Sequence, residues 1–175
     1  MPVLTADGLV LRPFRDDDVA LVREAGLDPH IPVMTTVPAH GDTQQARDWI
    51  ERQHRRLNDG VGYSFCLADA SSDVGLGHVG LWPHHPGPGR ASVGYWVGRN
   101  HRGAGIATRG LRAVSSWGLD HPGLDRLELY VEPWNEGSWR AAERVGYRRE
   151  GLLRRWEFVG DERRDMFMYS LLPGD

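Results

Sequence analysis

No lysine occurs anywhere in these 175 residues, and all 21 basic side chains are arginine. That absence excludes a Walker-type phosphate lysine, a Schiff-base lysine and a kinase lysine. Cysteine is nearly absent as well. The single Cys66 can form neither an internal disulfide nor a multi-cysteine zinc site, which points to a reducing compartment. No apolar run approaches the ~18 residues that a membrane span requires. The first residues, Met-Pro-Val-Leu-Thr-Ala-Asp-Gly, carry neither the basic segment nor the apolar stretch of a secretion signal, so the expected location is cytoplasmic. Excess positive charge is missing too. With 21 basic and 24 acidic residues the net charge is −3, so neither nucleic acid nor a membrane is an expected partner.

What is present is the composition of a folded protein: 40% hydrophobic residues, 26% charged residues and seven tryptophans, punctuated by 22 glycines and 11 prolines. A chain of this length has room for one core, and one domain spanning residues 1–175 is expected. Residues 8–14 read as a first strand. The acidic run Asp16, Asp17, Asp18 suits the start of a short helix ending near Gly26, because carboxylates there meet unpaired amides. Pro29, Pro32 and Pro38 keep the next stretch irregular. A second helix then opens at Asp42 or Thr43, with Asp42 and Gln45 spaced as a capping box and Ala46, Trp49, Ile50 and Leu57 as its apolar face. Strand-like runs at 62–69 and 74–82 flank a turn, and His84 to Gly89 reads as a loop.

Further strands are expected at Ala91 to Gly98 and at Arg126 to Val131, where Leu127, Leu129 and Val131 alternate with Arg126, Glu128 and Tyr130. Between them Ala107, Leu111, Val114 and Gly118 recur at helical spacing, which makes a βαβ unit. A helix from Glu136 to Arg144, capped by Gly146, and two strands near 148–158 and 165–172 complete the chain. The order predicts a mixed α/β sheet with helices on both faces.

The turn inside the βαβ unit, Arg102-Gly103-Ala104-Gly105-Ile106-Ala107-Thr108, carries the most chemistry. A helix start leaves about four amides unpartnered and presents the positive end of the dipole, which suits phosphate or pyrophosphate. Gly103 and Gly105 let the backbone turn sharply and approach a ligand oxygen, and Arg102 adds charge. The same glycines are also ordinary punctuation between a strand and a helix. A Rossmann fingerprint is excluded, because it requires glycine where Thr108 stands, and a P-loop is excluded for want of lysine.

The segment fits R-x-x-G-x-A and thereby resembles the coenzyme-A pyrophosphate motif of the GCN5-related N-acetyltransferases (GNAT). The likeness extends through Gly94-Tyr95-Trp96-Val97, Asn135-x-x-Ser138, Gly146-Tyr147, Glu150-Gly151 and Arg164-Asp165-Met166, in order and over nearly the whole chain. It is similar to the ribosomal-protein N-terminal acetyltransferase branch, the RimJ/RimL type. The resemblance implies a mostly antiparallel sheet with one splayed parallel pair. It implies acetyl-CoA as cosubstrate, with pantetheine paired to the backbone near Trp96, Val97 and Gly98 and pyrophosphate on Gly103 to Thr108. It also implies a homodimer.

Each candidate has a plainer role beside the functional one. Trp96 is a strand aromatic that normally fills a core. Asn135 is a helix N-cap as readily as a coenzyme contact. Ser138 is implied as the group that hydrogen-bonds or protonates the departing thiolate. This chain departs from the wider superfamily in having Ala142 where a tyrosine acid commonly stands, seven residues after the asparagine. Counting eleven residues from Gly146 reaches Glu157, the implied base, whose flanking Trp156 and Phe158 would desolvate it and raise its proton affinity. Otherwise Glu157 is a solvated strand glutamate.

His78, His84 and His85 lack the spacing of a metal motif, and no metal is expected. Arg148, Arg149, Arg154, Arg155, Arg163 and Arg164 read mainly as solvated faces, and Cys66 as core. The implied activity is acetyl transfer to an amine acceptor, either a protein N-terminus or a small amine such as an antibiotic, polyamine or amino-acid derivative. A non-catalytic acyl-CoA-binding module is the reading that Ala142 favours.

Overall fold

The computed structural model describes residues 1–84, 89–120 and 123–175. The expected loop at His84 to Gly89, including His85, falls largely outside them. Eight strands are described: β1 Leu4–Ala6, β2 Leu9–Arg12, β3 Tyr63–Asp69, β4 Gly75–Pro83, β5 Gly89–Val97, β6 Leu124–Val131, β7 Arg148–Val159 and β8 Glu162–Leu171. The helices are α1 Val19–Gly26, α2 Ile31–Met34, α3 Thr43–Asn58, α4 Ile106–Leu119 and α5 Glu136–Val145. The strands form one sheet in the order β1-β2-β3-β4-β5-β6-β8-β7, with β5 and β6 parallel and the other neighbours antiparallel.

Alternation within the strands sorts the core onto two faces. Phe65, Leu67, Val93, Leu127 and Leu129 pack with Ile106, Leu111 and Val114 of α4 and Ala142 of α5. Cys66 and Trp96 face the other way, toward Val22 and Ala25 of α1 and Ala46, Trp49 and Ile50 of α3. The capping box of α3 forms as its sequence dictates: Gln45 N donates to Asp42 Oδ1 at 2.8 Å, and Asp42 N donates to Gln45 Oε1 at 2.9 Å. Gln53, rather than Leu57, completes the buried face of α3, because its amide is satisfied by Ser64 Oγ and the Trp49 carbonyl.

Three expectations change in detail. The first strand is a hairpin, β1 and β2, reversing through Gly8 at φ +69°. The acidic run forms a 3-10 turn before α1 rather than its first turn, and Asp18 is buried against Arg12 at 2.7 Å. The proline-rich stretch contains α2, since Pro32 sits in the first turn of that helix, where no amide hydrogen is needed.

Candidate functional site

The βαβ unit builds the first part of the site. Gly105 caps α4 with φ +73°, and Gly103 stands at +80°, both left-handed conformations that side chains resist. A Cβ at either position would meet nothing within 4 Å, so the turn opens outward. Arg109 N reaches back to Gly105 O at 3.1 Å, which leaves the Ile106, Ala107 and Thr108 amides ahead of the first helical bond. No acidic residue lies in that first turn. Ile106 is buried and anchors the helix start in the core.

Arg102 has a bracing role that its sequence position did not reveal. Its Nε donates to Val97 O at 3.1 Å, and its terminal nitrogen contacts Asp28 Oδ2 at 2.7 Å. Burial alone would raise the Asp28 carboxyl. The His30 and Ile31 amides together with Arg102 outweigh it and hold the group below its usual range. The glycine turn is thereby tied to the segment joining α1 and α2.

β5 and β6 pair only from Gly89/Leu124 to Ser92/Glu128 and then diverge. Gly98 N donates to Leu76 O at 2.9 Å, which makes Gly98/Leu76 and Trp96/His78 the hydrogen-bonded pairs with β4. Tyr95 and Val97 therefore turn their main-chain groups into the gap. Arg102 already occupies the Val97 carbonyl, so the Val97 amide and both Tyr95 groups line this edge. The Trp96 ring belongs to the α3-side core and is 5% exposed, with its indole N–H unpartnered. Trp82 lies across the same face, where a Cβ on Gly94 would come within 3.0 Å of its ring.

On the opposite side of the gap Asn135 caps α5, its Oδ1 accepting from Ser138 N at 3.2 Å. The Tyr95 hydroxyl crosses from β5 to Ser138, 2.9 Å from the Ser138 carbonyl oxygen and 2.9 Å from Oγ. Burial pushes the Tyr95 phenol up to about 12, against the opposing effect of the Ser138 contact. Ala142 is fully buried in the core. Tyr95 is the residue that sequence reasoning missed here, although it stands within the quoted Gly94-Tyr95-Trp96 motif.

Glu157 is positioned by a bulge. Leu153 faces Met166 and Glu157 faces Arg164, so β7 spends four residue steps where β8 spends two. Arg155 takes φ +49° within the bulge, and its amide is held by Asp165 Oδ1 at 2.7 Å. The excess chain lets Trp156 stack on Tyr130 of β6 at 5.8 Å, across the intervening β8. Crowding around the carboxyl pushes Glu157 up, and the charge of Glu132 adds to the effect. The residue as a whole remains exposed, so the shift reflects the surroundings of the carboxyl group and not sequestration of the side chain.

Among the described residues no group of three or more His, Cys, Asp or Glu side chains could hold a metal ion. His78 is core, enclosed by Phe14, Trp49, Trp82 and Trp96, and His84 hydrogen-bonds Ser92 at 2.9 Å. Cys66 is wholly buried, and burial pushes its thiol up, which removes it as a nucleophile. The C-terminal arginines serve local contacts: Arg148 meets Asp175, Arg164 meets Glu162, and Arg149 and Arg163 cover Phe167 and Phe158. A separate hollow of about 420 Å³ lies between the start of α1 and the β3–β4 turn. Arg12, Asp18 and Asp73, which line it, are already paired with one another.

Residues 8–148 match the acetyltransferase (GNAT) domain family. The chain is 30% identical over 172 residues to the uncharacterized N-acetyltransferase p20 of Bacillus licheniformis, covering 98% of this chain and 97% of that one. It is 28% identical over 134 residues to the ribosomal-protein-serine acetyltransferase of Escherichia coli, covering 77% and 72%. Mycobacterium smegmatis RimJ, solved in complex with CoA-disulfide, is alike in fold, with a TM-score of 0.82 and 24% identity over 98% of this chain and 86% of that one. The chain belongs to the GNAT acetyltransferase family, and its open mixed sheet with one splayed parallel pair is that family's fold.

Proposed function

We propose that the chain, acting over residues 1–175 as one acetyltransferase domain, transfers acetyl from acetyl-CoA directly to the α-amine of a protein or peptide N-terminus. The observation that carries this reading is an outward-facing glycine turn at the start of α4 beside a β5 edge that β6 leaves unpaired; the raised proton affinity of Glu157 supports its part as base. The open space over Gly103 and Gly105 fits a pyrophosphate, and the gap-facing main chain of Tyr95 and Val97 fits an extended amide arm, flanked by Trp96 and Gly98. Acetyl-CoA supplies an acetyl group activated as a thioester.

The chain's own groups then manage charge and protons. Glu157 accepts the amine's proton, so that the nitrogen lone pair can form the new N–C bond as the C–S bond breaks. The Val97 amide faces the oxygen on which negative charge develops, a contribution of about 3 kcal/mol in comparable sites. The Ser138 and Tyr95 hydroxyls supply a proton or hydrogen bond to the departing sulfur, and Asn135 fixes Ser138 through the cap. An α-amine, with a pKa near 8, is neutral far more often at pH 7 than a lysine side chain near 10.4, so a carboxylate is an adequate base. The same reading carries a cytoplasmic location and a homodimer, for which exposed Trp156 and Phe158 offer apolar surface.

Release of coenzyme-A thiol, measured against N-terminal peptides, polyamines and aminoglycosides, tests the assignment. Glu157→Gln lowers turnover by ~10² to 10⁴ while leaving acetyl-CoA affinity nearly unchanged. Equal activity in the variant removes Glu157 as base. A response to small amines alone moves the acceptor to that class, and coenzyme binding without turnover on any acceptor returns the binding-module reading.

A further inference from the structure

The chain between α1 and α3, which includes α2, forms a loop closed at its base. It leaves α1 at Gly26 and returns there, where His40 N donates to Gly26 O at 2.9 Å and a Cβ on Gly26 would lie 2.4 Å from Pro38 O. Ile31 and Val37 are buried in the core between α1 and α3, and Thr36 Oγ1 accepts from the Trp49 indole at 3.1 Å. The loop therefore belongs to the α1 and α3 layer. Its first residues nonetheless reach the two turns that lead into α4 and α5. Arg102, between β5 and α4, meets Asp28 at 2.7 Å, and the ring of Trp134, between β6 and α5, lies 4.7 Å from that of His30. Because β5 and β6 are the strands that diverge, these contacts stand on opposite lips of the gap. Only Pro29 separates Asp28 from His30, and its fixed φ stiffens the link while leaving no amide to satisfy.

One carboxylate organises this link. Asp28 is 6% exposed, and both of its oxygens are engaged: Oδ1 accepts from His30 N at 2.9 Å and from Ile31 N at 3.1 Å, while Oδ2 accepts from Arg102 at 2.7 Å. The same group thus fixes the backbone that carries His30 and the guanidinium that precedes the glycine turn. Arg102 is gripped along one edge of its planar fork, by Val97 O at Nε and by Asp28 at Nη2. Its Nη1 has no hydrogen-bond partner among the described residues, and the side chain is 46% exposed. A free donor edge therefore remains for an anion on the Gly103 to Thr108 turn.

We propose that Asp28 is a positioning residue that clasps the two lips of the gap, so that coenzyme held at the Arg102 turn orders the loop of residues 27–40. This inference rests on the acetyltransferase reading and adds a coupling between its two substrate sites. An anion that immobilises one edge of Arg102 immobilises the carboxylate on the other edge. The His30 and Ile31 amides are fixed with it, and so is the ring laid against Trp134. Leu27, Val33 and Met34 of this loop are exposed, as is Trp134, which gives the acceptor apolar side chains to meet. A loop already ordered by coenzyme leaves less ordering to the acceptor, and the coupling is reciprocal.

Hydrogen exchange tests the clasp without turnover. Amide exchange at residues 27–34 is followed by mass spectrometry in the full chain, with and without coenzyme A, in the wild type, Asp28→Asn and Arg102→Gln. Calorimetric titration sets each comparison at saturating coenzyme A. Coenzyme A is expected to slow exchange there ~tenfold or more in the wild type and less than about twofold in either variant. If Asp28 merely supports α2, Asp28→Asn speeds exchange yet keeps the slowing by coenzyme A, and that result overturns the clasp. Arg102→Gln leaves the contacts of Asp28 with the His30 and Ile31 amides in place, so it decides the question even where Asp28→Asn does not fold. In steady-state kinetics His30→Ala is expected to raise the acceptor KM about fivefold with acetyl-CoA affinity unchanged, and an unchanged KM removes the second lip. Wild type that binds coenzyme A with no slowing at 27–34 overturns the coupling alone. Wild type that binds no coenzyme A sinks the acetyltransferase reading as well, and calorimetry separates the two results.

Discussion

Gly105 and His78 show how single residues divide the work between ligand binding and stability. At φ +73° a β-branched side chain is strained, by roughly 1–2 kcal/mol, and its methyl groups would occupy the open side of the turn. Gly105→Val is expected to raise the acetyl-CoA dissociation constant ~tenfold or more in calorimetric titration. Unchanged affinity would remove the turn from the coenzyme site. His78 concerns the core. Burial, with a smaller effect from the charge of Arg56, pushes its imidazole down to about 3. The unfolded chain binds this proton near pH 6.5, so the stability from keeping His78 neutral is complete above that value and is lost as pH falls toward 3. Between about pH 7 and pH 4 the group accounts for roughly 3 kcal/mol. Urea midpoints should therefore fall more steeply with acid in the wild type than in His78→Gln. Parallel slopes would contradict the assignment.

At the scale of elements, the link between β5 and α5 is the contact that sequence periodicity does not reveal. Tyr95→Phe removes the hydroxyl that holds Ser138 and keeps the ring. It should cost about 1 kcal/mol of stability and lower kcat more than it raises the KM for acetyl-CoA. A change in KM alone would make Tyr95 a binding contact. Much of the element plan was legible in the sequence because it rests on local chemistry: Asp42 and Gln45 cap α3, Gly146 closes α5 at φ +114°, and Gly105 turns β5 into α4. The positions that escaped reading depend on distant partners. Glu128 alternates with apolar residues as a solvent-facing position should, yet arginines, Tyr130 and His84 enclose it. Leu57 has helical spacing but yields its buried place to Gln53, whose partner Ser64 on β3 only the fold brings near. The β7 bulge has no turn signal in Arg154-Arg155-Trp156, since Asp165 on the next strand holds it.

For the molecule as a whole, the divergence of β5 from β6 is the feature on which the functional reading depends. One sheet carries α4 and α5 on one face and α1 and α3 on the other, and the gap opens where the two central strands stop pairing. The glycine turn and the Tyr95–Ser138 pair border it from one layer, and the bulged β7 lays Trp156, the neighbour of Glu157, on Tyr130 of β6.

The most direct measurement incubates the purified chain with acetyl-CoA and paired peptides that differ in having a free or a blocked N-terminus, each with one internal lysine, and locates added acetyl groups by fragment mass spectrometry. The expected result is one acetyl group on the α-amine of the free peptide and none on the blocked one. Acetylation of lysine in both peptides, or of neither peptide while a small amine is modified, would contradict the account.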